Sequence, residues 1–390
     1  MSLKPRSRHE EHRAATPLEL FFDLVFVVAI AHAASDLHHA VAEGHVGDGL
    51  LSYGMVFFAI WWAWMNFTWF GSAYDNDDVP YRLLTLQQMS GALILAAGVP
   101  EAFAERDFSV VTLGYVIMRL ALVAQWLRAA RGDSLRRTTA RRYALGITSL
   151  QAGWVGLLAV PDSLTLGGFA VLVLAELAIP VWAEQASPTP WHPDHIVERY
   201  GLFTIIVLGE SILAASLAIQ AATADGATAS DLLAEIVGGV LIVFAMWWLY
   251  FDRPAPELGE SRREPFIWGY GHFIVFASAA AVGAGLAVEV DRATHQAEIA
   301  RVTGALAIAV PVALYLVALS LLPSRWRTAA PASRVLVCIV AAAILLTPWV
   351  GEPVLAVGVL LSVLLAIKLS LRHRREVAGG GSRRPHVAPE

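Results

Sequence analysis

Charge and cysteine are what this sequence has least of. Only 16% of its 390 residues are charged, against about 25% in a soluble globular domain. A single cysteine, Cys338, excludes a disulfide framework and a cysteine-built metal centre. There is no basic excess, with a net charge of −5 and a pI near 6.2, so no nucleic-acid partner is expected. The polar linkers that divide a soluble chain of this length into domains are almost missing. No P-loop, G-x-S-x-G elbow, H-E-x-x-H pair or dinucleotide fingerprint stands in a fitting context. The chain is therefore read as no enzyme, with no cofactor and no metal.

What the sequence has is apolar length. Hydrophobic residues make up 57%, mean hydropathy is +0.58, and runs of about 20 apolar residues follow one another almost from end to end. A bilayer core of about 30 Å is crossed by about 20 helical residues. Backbone amides must be bonded inside lipid, which leaves the helix as the spanning element. The reading is an all-α, polytopic integral membrane protein with about twelve transmembrane helices. These cover roughly 18–40, 49–71, 82–102, 109–129, 141–160, 164–183, 199–221, 232–251, 266–288, 299–321, 334–349 and 352–371. Pro348 and Pro353 crowd the last junction, so the final two spans also read as one interrupted hairpin.

Residues 1–17 are polar and basic, but the apolar stretch after them is long, opens with Glu19 and Asp23, and lacks a cleavage signature. It is read as a retained first helix rather than a signal peptide. With the N-terminus placed in the cytoplasm, 24 of the 28 Lys and Arg fall on that side. Arg106, Arg292 and Arg301 fall on the other, and Arg119 lies within a helix. Such a bias predicts both termini in the cytoplasm and a multi-pass protein of the bacterial inner (plasma) membrane. The stretch 372–390, with Gly379-Gly380-Gly381 and scattered Arg and Pro, reads as a disordered cytoplasmic tail.

The two halves resemble each other. Phe58-Ala59-Ile60-Trp61-Trp62 aligns without gaps on Phe244-Ala245-Met246-Trp247-Trp248, and Glu19 aligns with Glu198. Six spans separate the copies, which predicts two parallel repeats, 18–183 and 198–371, joined by a cytoplasmic linker at 184–197.

Charges within spans cost at least about 2.5–3.5 kcal/mol each on insertion scales, so those retained need partners or water. The set comprises Glu19, Asp23 and His32 in the first span and Asn66 and Gln88 near the ends of the second and third. Arg119 and Glu176 sit deep in the fourth and sixth, Glu198, Arg199 and Glu210 in the seventh, and Asp252 and His272 in the eighth and ninth. As a group they read as an ion or substrate pathway. Individually they read as glue between helices, with Asp23 or Glu176 pairing Arg119. Glu19 also reads as a helix-start carboxylate. The thirteen Trp are read mainly as interfacial belts, and His38-His39 point apart on a helix.

Thr16-Pro17-Leu18-Glu19-Leu20-Phe21-Phe22-Asp23-Leu24-Val25-Phe26-Val27 resembles the opening motif of the bacterial low temperature requirement protein A (LtrA) family. The stretch from Glu198 to Ile212 and the Trp247-Trp248-Leu249-Tyr250-Phe251-Asp252 segment fit the same family, and the resemblance runs from about 14 to 372. It implies a membrane protein that supports growth in the cold. Phe22-Asp23 is also similar to the Phe-Ser-Asp motif of duplicated six-helix lysosomal-type cation channels, but the serine is absent and Leu202 stands where the second copy needs Asp.

Two functional readings stand. One is a transporter or channel for a small ion or solute using intramembrane carboxylates. The other is a non-transporting membrane protein acting through lipid or partner contacts at low temperature. The partners expected are membrane lipids and, on the first reading, the small solute. The oligomeric state stays open. The first predicts a polar cavity between spans one and seven; the second predicts a filled core with its acids paired to Arg119 or Arg199.

Overall fold

The computed structural model describes residues 3–8, 10–11, 13–228, 232–252, 263–322 and 331–380, with side chains through 374. Arg253, Arg262, Arg325, Arg327, Arg383 and Arg384, which count in the charge bias, lie outside the described residues. Among the described residues there is no strand. The helices are α1 (Pro17–Ala42), α2 (Val46–Tyr74), α3 (Val79–Ala97), the short α4 (Val99–Ala104), α5 (Ser109–Gly132), α6 (Arg137–Leu157) and α7 (Asp162–Glu184). They continue as α8 (Pro193–Ala224), α9 (Leu233–Phe251), α10 (Glu264–Ala293), α11 (Arg301–Leu321), α12 (Pro331–Leu345) and α13 (Pro353–Gly380). Ten of them are long and apolar enough to cross a membrane. α3 and α6 fall short of that measure, because α3 carries Arg82, Gln87 and Gln88, and α6 begins with Arg137, Arg141 and Arg142.

Three helix starts, those of α1, α3 and α8, carry side-chain caps. α1 opens with a capping box: the Thr16 hydroxyl accepts from Glu19 N, and the Glu19 carboxylate accepts from Thr16 N. α8 begins at Pro193 under a His192 cap, so residues 193–197 of the expected linker are helical. The third expected span ends early, at Ala97, where Gly98 and Pro100 break the run into α3 and α4. A 3-10 turn at Thr347–Trp349 separates α12 from α13, which settles the interrupted junction as two helices. α13 runs on to Gly380, into the stretch read as a disordered tail; 381–390 lie outside the described residues.

α2 and α10 are the most enclosed helices. Leu, Ile, Val and Phe stand exposed along the other spans, as a lipid solvent allows. α1 packs on α2, α3, α8 and α10, and α8 packs on α10. Within the first half α3 lies on α5, α5 on α6 and α6 on α7. In the second, α10 lies on α11, α11 on α12 and α12 on α13. Close backbone approach carries the α3–α5 contact: a Cβ on Gly91 would sit 2.7 Å from Gly114 O.

One end of the bundle is closed by the N-terminal segment. Arg6 N donates to Ala73 O at 2.9 Å, Arg13 Nη2 to Gly71 O at 2.8 Å, and His192 Nε2 lies 2.9 Å from Glu10 O. Leu3 is fully buried. The described residues of this segment, 3–8, 10–11 and 13–16, thus form a strap across the ends of α2, α5 and α8.

Candidate functional site

Two buried charge clusters organise the interior. The first joins α1 to α8. Capping places Glu19 at the helix start and Asp23 one turn later on the same face, and both meet Arg199. Arg199 Nη1 lies 3.2 Å from Glu19 Oε1, and Nη2 lies 2.5 Å from Asp23 Oδ1. Trp64 Nε1 donates to Asp23 Oδ1 at 2.7 Å, and His195 Nε2 is 3.2 Å from Glu19 Oε2. Arg13 adds a second base 3.7 Å from Glu19. Two carboxylates face two guanidiniums, all buried.

The second cluster belongs to the first half. Glu176 on α7 accepts four bonds from three other helices. Trp62 Nε1 and Arg119 Nη2 reach Oε2, each at 2.8 Å, while Tyr115 OH at 3.0 Å and Trp154 Nε1 at 3.2 Å reach Oε1. All five side chains are buried. Among the described residues, Arg119 Nε and Nη1 have no hydrogen-bond partner, so the guanidinium is only partly satisfied there. Pro180, one turn after Glu176 inside α7, removes the amide that would bond the Glu176 carbonyl.

Two cavities flank this second cluster. The one at the end away from the strap encloses about 320 Å³, with Phe58, Tyr115, Trp154 and Phe169 at its base and Glu105, Arg106, Asp107 and Asp162 among its lining. The one at the strap end encloses about 200 Å³ and is lined by Met65, Asn66, Trp126, Pro180, Glu184 and Tyr270, among others. Four helices, α2, α5, α6 and α7, line both cavities. On α2, α5 and α7 a residue at the Glu176 cluster lies between the two linings: Trp62 between Ala59 and Met65, Arg119 between Tyr115 and Trp126, and Glu176 between Phe169 and Pro180; on α6, Trp154 itself lines the far cavity. On α2 the step from Ala59 to Met65 is six residues, about 9 Å at 1.5 Å per residue.

The expected pathway residues are therefore dispersed. Arg119 and Glu176 form the partition, and Asn66 lines the strap-end cavity, its Nδ2 donating to Trp62 O at 2.8 Å. Glu19, Asp23 and Arg199 form the first cluster. Gln88 is buried and donates to Gln125 Oε1 at 2.9 Å. His272 is buried, 3.1 Å from the Tyr250 hydroxyl. His32 is exposed on the outside of α1, Glu198 is exposed and accepts from Ala15 N at 3.3 Å, and Glu210 is half-buried on α8. Asp252 lies at the end of α9, where Arg372 donates to its carbonyl at 2.9 Å. Sequence reasoning missed Tyr115, Trp154 and Glu184; no motif marks them, though Glu176 four residues before an in-helix proline is a legible sign. Among the described residues no group of side chains is arranged to hold a metal ion.

A helical bundle with apolar outer faces, ten helices long and apolar enough to cross a membrane among the described residues, and buried charge clusters inside defines a polytopic membrane protein. The chain belongs to the bacterial low temperature requirement A protein (LtrA) family, whose match covers residues 14–369. It is 28% identical over 289 residues to a Rhizobium meliloti (strain 1021) protein described as uncharacterized protein RA0937, covering 68% of this chain and 67% of that one. No solved structure matches the chain.

Proposed function

We propose that this LtrA family protein is a non-enzymatic passage, a transporter or channel, for a small ion or solute in the bacterial inner membrane. One observation carries the reading: two cavities at opposite ends of the same helices lie on either side of the layer that binds one buried carboxylate, Glu176. The route runs through the first half, not between α1 and α8. Its constriction is the layer of Trp62, Tyr115, Arg119, Trp154 and Glu176. An incompletely bonded arginine and a proline-interrupted helix at that layer favour rearrangement there.

The twelve-span, two-repeat arrangement is part of the proposal. The recurring neighbour pattern, α3 to α7 and again α10 to α13, supports it. The aligned Trp pairs do not occupy equivalent places, since Trp61 and Trp62 are 2% and 0% exposed while Trp247 and Trp248 are each 46% exposed. The charge bias supports a cytoplasmic strap and cytoplasmic termini, with membrane lipids against the exposed apolar faces.

The test is flux in liposomes of purified protein, screened over protons, alkali cations and small metabolites. Glu176→Gln is expected to abolish the flux found in wild type while leaving folded protein; unchanged flux removes Glu176 from the route. The second reading, a non-transporting protein acting through lipid or partner contacts in the cold, is favoured by the α1–α8 interface, where Glu19 and Asp23 are both paired with arginine. On that reading no solute in the screen crosses.

A further inference from the structure

The strap-end cavity has a chemistry of its own. Aromatic rings form its walls. Trp126 and Tyr143 stack with centroids 4.1 Å apart and planes 6° from parallel, and Trp69 meets Trp191 edge-on at 4.9 Å. Tyr270 lies between these pairs and the partition, 5.5 Å from Trp62. Within this aromatic enclosure stands one carboxylate, Glu184. It is held by neutral donors: Tyr143 OH at 3.0 Å, Thr189 Oγ1 at 2.8 Å and Thr189 N at 2.8 Å. Arg136 bears on its charge, but that guanidinium is engaged by Pro188 O at 2.7 Å and Asp133 at 3.1 Å. A carboxylate ringed by aromatic faces attracts a weakly hydrated cation, since ring faces and carboxylate both favour positive charge.

The mouth repeats the same preference. Arg8 of the strap places its guanidinium carbon 5.0 Å from the centre of the Trp191 ring. The chain's own cation thus already rests on one wall of the cavity. About 200 Å³ suits a head group of a few heavy atoms rather than a drug-sized ligand, for which cavities run about 300–1,000 Å³. A small anion has no buried base to meet among the residues lining this cavity.

We propose that the strap-end cavity binds a small organic cation of the alkylated-ammonium class, with Arg8 as a tethered competitor for its aromatic wall. This deepens the passage reading by naming the class of solute, and rests on it only for the step of crossing; binding stands without it. Positive charge is recognised by Glu184 and the ring faces, and the alkyl groups are recognised by the Trp walls. Displacing Arg8 opens the mouth.

Titration calorimetry on the purified full chain in detergent tests this, with choline as probe and 3,3-dimethyl-1-butanol as its neutral isostere. Choline is expected to bind saturably and the isostere at least tenfold more weakly. Glu184→Gln keeps an acceptor for Tyr143 and Thr189 and is expected to weaken choline at least tenfold at unchanged Tm. Arg8→Ala, at an exposed residue, is expected to tighten choline severalfold. No saturable choline binding, equal binding of the isostere, or a Glu184→Gln Kd equal to wild type overturns the site. Choline binding without choline flux in liposomes leaves the site and overturns the passage. Flux of another solute without choline binding leaves the passage and overturns the site.

Discussion

Arg199 on α8 grips Asp23 on α1 with two nitrogens, Nε at 3.1 Å from Oδ2 and Nη2 at 2.5 Å from Oδ1, and neither side chain reaches solvent. The same guanidinium also lies 3.2 Å from Glu19, so it balances two carboxylates. Removing it leaves two buried anions, with Arg13 and His195 still beside Glu19. Arg199→Leu is expected to cost about 3–5 kcal/mol, the range for stripping one partner from a buried pair. Asp23→Asn, which leaves the Glu19–Arg199 contact in place, is expected to cost less, about 1–3 kcal/mol. Thermal unfolding in detergent checks the order. An Arg199→Leu variant melting with wild type would show that the network does not hold α1 to α8.

The strap gives a second expectation. Gly132 closes α5 against Leu3, and a Cβ there would overlap the Leu3 backbone carbonyl. Backbone cannot rotate aside, so Gly132→Ala is expected to lift the strap from the bundle end, starting at Leu3. Limited trypsin digestion reads this directly. Cleavage after Arg6 or Arg8 is expected to be fast in the variant and slow in wild type, with the remaining helices intact. Equal digestion of the two proteins would mean that the strap does not depend on this contact.

The class of fold was legible because lipid leaves few choices: apolar runs near 20 residues long must be helices. The α1–α8 network was half legible. Glu19 and Asp23, four apart, had to share a face, and Arg199 was named, but its assignment to Asp23 needed the packing of α1 on α8. Deep charges such as Glu176 and Arg119 announce themselves by their cost, and their pairing with each other was one of the readings on offer. The cavities were not legible, because their walls are Trp, Tyr and Phe, which in a membrane sequence look the same whether they face lipid or line a void. Trp62 and Trp248 make the point: aligned in sequence, one donates to Glu176 and the other is 46% exposed.

Asp75, just beyond α2, sets a pH dependence. It is 3% exposed, and burial, together with the nearby Glu19 carboxylate, raises its pKa from the ordinary aspartate range to about 6. Its folded form therefore holds a proton more tightly than its unfolded form. The unfolded chain binds fewer protons between about pH 4 and 6, so stability falls as pH rises through that window and is flat above it. The contribution at neutral pH is a penalty on the order of 1–3 kcal/mol. Asp75→Asn keeps the acceptor for Asp77 N, which donates to Oδ1 at 2.9 Å, and removes the charge. The variant is expected to melt higher than wild type at pH 7.5 and to converge with it near pH 4.5. Parallel melting curves at both values would remove Asp75 as the titrating group.

The lone cysteine makes the passage itself open to direct measurement. Cys338 is exposed on α12, so Cys338→Ser gives a background free of thiols. Asn66 lines the cavity at the strap end and Thr112 the cavity at the other; Thr68, two residues from Asn66, is fully buried beside Arg199. In that background a membrane-impermeant thiosulfonate is expected to label Asn66→Cys only from the cytoplasmic side and Thr112→Cys only from the opposite side, while Thr68→Cys stays unlabelled from both. Two cavities that meet at a partition require this pattern, because water reaches each from one side and stops at Glu176. Labelling of both positions from one side would overturn the threading of α2 and α5. Protection of both from either side would make the cavities closed voids and favour the non-transporting reading. Adding Glu176→Gln is then the sharper comparison. If Glu176 seals the layer through its four bonds, its loss should let reagent from one side reach the far cysteine, which no change in protein stability alone would make side-specific.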